Sequence, residues 1–142
     1  MKDLHFTVQA EVHPTEDESK VKHAIMSLFP SVELKRIPNC GGRLELIGEA
    51  SGLEGLAEFK SLLRRERIRA AAKSQMFSSA LDHRLTVYLN KQAAYAGHIS
   101  FATSRGESPL GPITLELECP DPRSVVEWLV QSQADPRSLG SV

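Results

Sequence analysis

Strict alternation of apolar and polar residues predicts the strands of this chain. From Leu4 to Val12 every second residue is apolar, and a period of two is typical of a strand with one buried face. The turn residues Pro38–Gly42 separate two such runs and predict a hairpin. The remaining strands, including those of the hairpin, are predicted at Val32–Ile37, Arg43–Gly48, Leu85–Leu89, Gly97–Ala102 and Ile113–Cys119.

Apolar residues at helical spacing predict three helical regions. The first begins at Thr15, which forms a capping-box pattern with Glu18 three residues later, and it ends before Pro30. Helical sequence then extends from about Leu53 to Leu81, and a last helix covers about Arg123–Val130. The chain therefore mixes short strands with a few amphipathic helices.

The predicted strands each have a single apolar face, so helices are expected on only one side of the sheet. The fold class is therefore α+β, with a mostly antiparallel sheet of about six strands and helices packed on one face. Residues 1–132 are predicted to form a single domain, with a loop at Thr103–Gly111 and a flexible tail at 133–142. The opposite face would be acidic to neutral and nearly free of aromatic residues, which makes it a poor platform for stacking nucleobases.

Composition places this chain among ordinary soluble proteins. It has 142 residues, 17 Lys plus Arg and 18 Asp plus Glu, for a formal net charge of −1. No apolar run approaches the ~20 residues of a membrane span, and the N-terminus lacks a signal-peptide pattern, so we expect a cytoplasmic protein with no membrane partner. The two cysteines, Cys40 and Cys119, are expected to be free, reduced thiols.

No catalytic or metal-binding pattern stands out. The five histidines lack metal-ligand spacing, no phosphate-binding glycine loop is present, and no base can be identified for Cys40 as a nucleophile. We therefore expect no enzyme activity, no cofactor and no metal.

A basic run from Lys60 to Lys73 polarises this otherwise neutral chain. Clustered cations create a local field that overall neutrality hides, and that field favours an anionic partner. The alternative is a solvated helix face whose cations pair with neighbouring acids. The run has one acid, Glu66, and six cations: Lys60, Arg64, Arg65, Arg67, Arg69 and Lys73.

The helical phase of this run is inconsistent with one simple amphipathic helix. Leu63 and Ile68 belong to apolar stripes on different sides of a straight helix. Either the helix kinks near Glu66, or a continuous helix lies between the sheet and a second subunit. In either case the cations divide into two flanks, one with Lys60, Arg64 and Arg67 and the other with Arg65, Arg69 and Lys73, unless a kink or a second subunit reunites the flanks.

The segment Leu89–Gly97 supplies Asn90, Lys91, Gln92 and Tyr95 directly after a predicted strand. Such a set could hold an anion or an exposed base. The alternative, which we favour, is a strand connection with Lys91 in solvent and Asn90 capping a turn. Lys91 is nevertheless retained as a candidate nucleic-acid contact.

Read in order, several motifs resemble the archaeal uncharacterised protein family 0201. Relatives of that family are classed as predicted RNA-binding proteins, with a fold similar to ribosomal large-subunit protein five. The resemblance covers about residues 4–130 and implies an α+β fold, an archaeal cytosolic protein and a candidate homodimer, but it implies no specific site residues. The motifs are Val12–Glu18, Leu46–Gly48, Leu53–Ala72 with its Arg64–Ile68 segment, Leu89–Ala94 and Leu110–Ile113.

Three functional hypotheses follow. The leading one is a non-catalytic RNA-binding module that acts through the basic helix and Lys91. The alternative is a protein-interaction or homodimerisation module with no nucleic-acid role. The third, a small-molecule enzyme using Asn90–Gln92, predicts a closed pocket at that segment.

Overall fold

β1 (His5–Val12) lies at the centre of an antiparallel sheet whose strand order is β2-β3-β1-β7-β5-β4, with β6 also paired to β5. The computed structural model describes residues 4–38, 40–102 and 111–131. Within them the other strands are β2 (Glu33–Pro38), β3 (Leu44–Ser51), β4 (Ala80–Leu81), β5 (Arg84–Leu89), β6 (Phe101–Ala102) and β7 (Ile113–Glu118). The helices are α1 (Glu18–Leu28), α2 (Ala57–Arg65), α3 (Arg69–Ser79), α4 (Lys91–Tyr95) and α5 (Pro122–Leu129), with 3-10 turns at Cys40–Gly42 and Leu53–Leu56.

The core lies between one face of this sheet and the helices. Alternate residues of β1, from Phe6 to Val12, are buried, as the period of two predicts. The Phe29 ring, just beyond α1, lies 5.9 Å from the Phe6 ring and 5.3 Å from the Phe59 ring of α2, measured between centroids. These contacts join sheet to helices, and the α+β prediction with helices on one face is confirmed.

The start of α1 differs from the predicted capping box. Thr15 lies in a turn closed by the Glu16 amide and the His13 carbonyl, so the helix begins later in the chain. Asp17 is the N-cap, and its carboxylate accepts hydrogen bonds from the Ser19 amide at 2.9 Å and hydroxyl at 2.7 Å. The carboxylate that reaches back to a preceding amide belongs to Glu16, not Glu18.

Three short elements also differ from the predictions. The long helical region ends at Ser79, and Ala80–Leu81 forms a strand because it pairs with the start of β5. Within Gly97–Ala102, strand pairing covers only Phe101–Ala102. The predicted strand connection after Asn90 is present, but it contains the short helix α4.

Some predictions fall on other parts of the chain. Loop residues 103–110 and the tail at 133–142 lie outside the described residues, as does the side chain of Cys40. No helix in the described ranges has the length and apolar content needed to cross a membrane.

Candidate nucleic-acid interface

The basic run folds as two helices that meet at a sharp kink. Arg67 has a φ of 59°, in the left-handed region that side chains other than Gly rarely adopt, so α2 ends and α3 restarts two residues later. Each half buries its own apolar residues, which include Leu63 on α2 and Met76 on α3. The kink near Glu66, one of the two alternatives for this run, is confirmed.

This kink removes the reason for placing the helix between the sheet and a second subunit. Leu63 is buried and Ile68 packs half-buried against the same core, so neither apolar side requires a partner. The homodimer stays a prediction that the described contacts of this run do not support.

Two of the six cations bind the C-terminal end of α5. The Lys60 ammonium donates to the Trp128 carbonyl at 2.8 Å and lies 5.1 Å from the centroid of the Trp128 ring. Nη1 of Arg69 donates to the Gln131 carbonyl at 3.1 Å. Carbonyls at a helix C-terminus lack helical partners and carry partial negative charge, so both cations stabilise this end of α5.

The kink also brings together cations that a straight helix would separate. The pKa of Lys60 is lowered, first by burial and then by the positive charges of Arg64 and Arg69. Lys60 and Arg64 come from one predicted flank, whereas Arg69 comes from the other. The kink therefore reunites the two predicted flanks at this point, which is the exception that the prediction allowed, because Lys60 and Arg69 both bind carbonyls at the end of α5.

Three arginines remain exposed at the kink: Arg64, Arg65 and Arg67, which we call the kink arginines. Within the described part of the chain, the side chains of these three arginines form no hydrogen bond and no direct ion pair, although the charge of Arg65 acts on the neighbouring Glu66 and helps to lower its pKa. The neighbouring acid, Glu66, is bound instead to Nδ1 of His98 at 2.9 Å, and this hydrogen bond lowers the pKa of Glu66. The kink therefore presents positive charge that no described acid neutralises through a direct pair.

Lys73 lies farther along α3. Its ammonium is 5.5 Å from the centroid of the Phe77 ring, and the guanidinium of Arg123 is 5.2 Å from the same centroid. Lys73 is exposed, but its described contacts are those of a cation covering an apolar ring.

Lys91 is buried, which corrects both interpretations that place it at the surface. Only 8% of its side chain is exposed. Its ammonium donates to the Glu11 carbonyl at 2.6 Å and to Oε1 of Glu16 at 3.1 Å. Asn90 does cap α4, because its side-chain oxygen accepts from the Ala93 amide at 2.8 Å. Lys91 thus connects α4 to the start of α1, and its ammonium is already bound to groups of the protein itself.

A groove of about 430 Å³ runs between α1 and α4 above this ion pair. Tyr95 stands at its edge with 46% of the side chain exposed. The Lys20 ammonium lies 6.0 Å from the centroid of the tyrosine ring, and the His23 ring packs edge-on at 5.2 Å. Sequence reasoning missed Lys20 and His23; their i, i+3 spacing on the exposed side of α1 was the available signal.

A second cavity, of about 830 Å³, opens at the end of the sheet beside β1 and β7. His5, His83 and Cys119 line it. Burial raises the pKa of the Cys119 thiol, which makes it a poor nucleophile at neutral pH.

Comparisons with known proteins give the family of the chain. A family model described as RNA binding matches residues 5–119. A UPF0201 protein from Aeropyrum pernix is 42% identical over 127 residues, which are 89% of this chain and 84% of that protein. The chain belongs to the UPF0201 family. This finding confirms the resemblance drawn from the motifs.

Two further UPF0201 proteins support the match. The protein from Thermococcus onnurineus is 35% identical over 128 residues, or 90% of this chain and 92% of that protein. The crystal structure of the UPF0201 protein from Methanococcus jannaschii is similar with a TM-score of 0.81 at 28% identity, and the match covers 89% of this chain and 99% of that one. The residues that the family model matches, 5–119, include α2, the kink and α3.

Proposed function

We propose that this protein is a non-catalytic RNA-binding module whose contact surface is the kink between α2 and α3. The observation that carries the proposal is the set of kink arginines, which are exposed and form no direct ion pair among the described residues. The family model described as RNA binding, which spans the kink, adds support. Lys60 and Arg69 contribute to the local field while they hold α5.

Arginine suits this role because its planar guanidinium can donate two parallel hydrogen bonds to a phosphate. Each phosphate that is neutralised releases counterions, and binding weakens with salt at a slope of about −0.7 to −0.9 per contact. Three contacts therefore predict a total slope of about −2.1 to −2.7. Affinity should fall about 20- to 40-fold between 50 and 200 mM monovalent salt.

The test is a titration of the full chain with a structured RNA at several salt concentrations. Replacing Arg64 and Arg65 together with alanine should reduce the salt slope by about two units and weaken binding at low salt. The matched control replaces Lys35 and Arg84, two exposed cations on strands β2 and β5, and should leave both quantities unchanged. Absence of RNA binding at low salt, or equal effects of the two double variants, would contradict the proposal.

A further inference from the structure

Tyr95 is the one exposed Phe, Tyr or Trp side chain in the described parts of the chain. On the polar face of the sheet the Tyr88 ring is half-buried, and the Lys60 ammonium lies against the ring of Trp128. Stacking of bases on exposed aromatic side chains is a common way in which proteins bind unpaired nucleotides. Among the described aromatic rings, Tyr95 is therefore the most accessible platform for a base.

The neighbours of Tyr95 match the chemistry of a nucleotide. His23 packs edge-on against the ring at an interplanar angle of 67°, which restrains the ring. Lys20 lies at 6.0 Å from the ring centroid, the outer limit of a cation–π contact, so its ammonium is available to a phosphate. The groove beside the ring, about 430 Å³, exceeds the volume of a nucleobase and contains the side chains of Gln92 and Thr15.

The charges in the groove fix the orientation of such a nucleotide. At the start of α1 the exposed carboxylate of Asp17 repels a phosphate, whereas the Glu16 carboxylate is already paired with the Lys91 ammonium. Lys20 lies farther along α1, where it attracts a phosphate. A base that stacks on Tyr95 can therefore enter the groove while its phosphate remains on the Lys20 side.

Described hydrogen bonds connect this ring to the kink. The His98 ring is bound to Glu66 at 2.9 Å, between the kink arginines Arg65 and Arg67 in sequence. The His98 amide donates to the Ala93 carbonyl of α4 at 2.8 Å, and Tyr95 is on the same helix. The two surfaces are thus adjacent parts of one structure, within reach of a single RNA.

From these contacts we infer that the groove between α1 and α4 binds an unpaired nucleobase of the RNA, with Tyr95 stacked on the base and Lys20 on its phosphate. The inference rests on the proposed function and specifies its ligand: RNA with a loop, bulge or single-stranded end rather than a continuous duplex. Duplex bases are already stacked on one another and cannot use the tyrosine ring.

The experiment compares two RNAs of equal length, a hairpin with an unpaired loop and a blunt duplex, each titrated with the full chain. The hairpin should bind more tightly than the duplex. Tyr95→Ala should weaken hairpin binding about tenfold, within the roughly 5- to 150-fold that one stacked base contributes. Duplex binding should not change, and Tyr95→Phe, which keeps the ring, should bind the hairpin like the native chain.

The salt dependence separates stacking from charge. Tyr95→Ala should leave the slope of affinity against salt unchanged, whereas Lys20→Ala should reduce it by about one unit on the hairpin. If both RNAs bind equally well and Tyr95→Ala weakens neither or both alike, this inference is overturned and the proposed function stands. If neither RNA binds at low salt, both are overturned.

Discussion

The buried ion pair between Lys91 and Glu16 provides the sharpest test of the packing. Their side chains are 8% and 12% exposed, and their closest charged atoms are 3.1 Å apart. Replacing Lys91 with methionine keeps most of the aliphatic stem but removes the ammonium. The Glu16 carboxylate is then buried without its cation, and the Glu11 carbonyl loses a donor at 2.6 Å.

The magnitude follows from what remains after the substitution. Removing one partner of a buried pair costs about 3–5 kcal/mol, because the other charge stays desolvated. Glu16 still accepts a hydrogen bond from the His13 amide at 3.0 Å, so we expect the lower end, about 3 kcal/mol. With a guanidinium m-value of about 4 kcal/mol/M for a chain of this size, the unfolding midpoint should fall by about 0.7 M.

The assay is equilibrium unfolding in guanidinium chloride, followed by circular dichroism. The matched control, Lys22→Met, removes an exposed cation on α1 and should shift the midpoint little. Combining Lys91→Met with Glu16→Gln should cost at least ~1 kcal/mol less than the sum of the single changes, since the two groups interact. Equal midpoints for Lys91→Met and Lys22→Met, or strict additivity in the double variant, would refute the reasoning.

Two further predictions concern titration and thiol reactivity. Hydrogen bonds from the hydroxyl and the amide of Ser19 lower the pKa of Asp17 from its ordinary 3.8. The ionised cap therefore stabilises the fold above about pH 4, and this contribution is lost as the pH falls. In Asp17→Asn the free energy of unfolding should depend less on pH in the acid range than in the native chain. An unchanged dependence would contradict this role. In a Cys40→Ser variant, a thiol reagent at pH 8 should label Cys119 orders of magnitude more slowly in native protein than in denaturant, because burial raises its pKa; equal rates would show an accessible thiol.

Local patterns in the sequence predicted those helices and strands that bury one face against the core and expose the other. Leu85–Leu89 alternates because one side of it contacts the core, and the observed strand starts only one residue earlier. The kink near Glu66 was predicted as an alternative for a similar reason: apolar residues on two sides of a short helix require either a break or a second partner. Arg67 resolves this choice through its left-handed backbone.

Long-range contacts explain what the patterns could not predict. Lys91 is buried because it binds Glu16, 75 residues earlier in the chain, and no local sequence pattern indicates this contact. α4 has five residues, too few for helical periodicity to be recognised in the sequence. Its end is fixed by the hydrogen bond from the His98 amide to the Ala93 carbonyl. The groove at Tyr95 exists only because α1 and α4 pack together, so its residues could not be grouped from the sequence.

The attachment of both basic helices to α5 has a mechanical consequence. Lys60 comes from α2 and Arg69 from α3, yet both donate to carbonyls within three residues of each other at the end of α5. α5 therefore helps to fix the angle between α2 and α3, although it contributes no kink arginine. Loosening the end of α5 would change the spacing between guanidinium groups on the kink, and with it the spacing of phosphates that this surface accepts, without altering any residue of the surface itself.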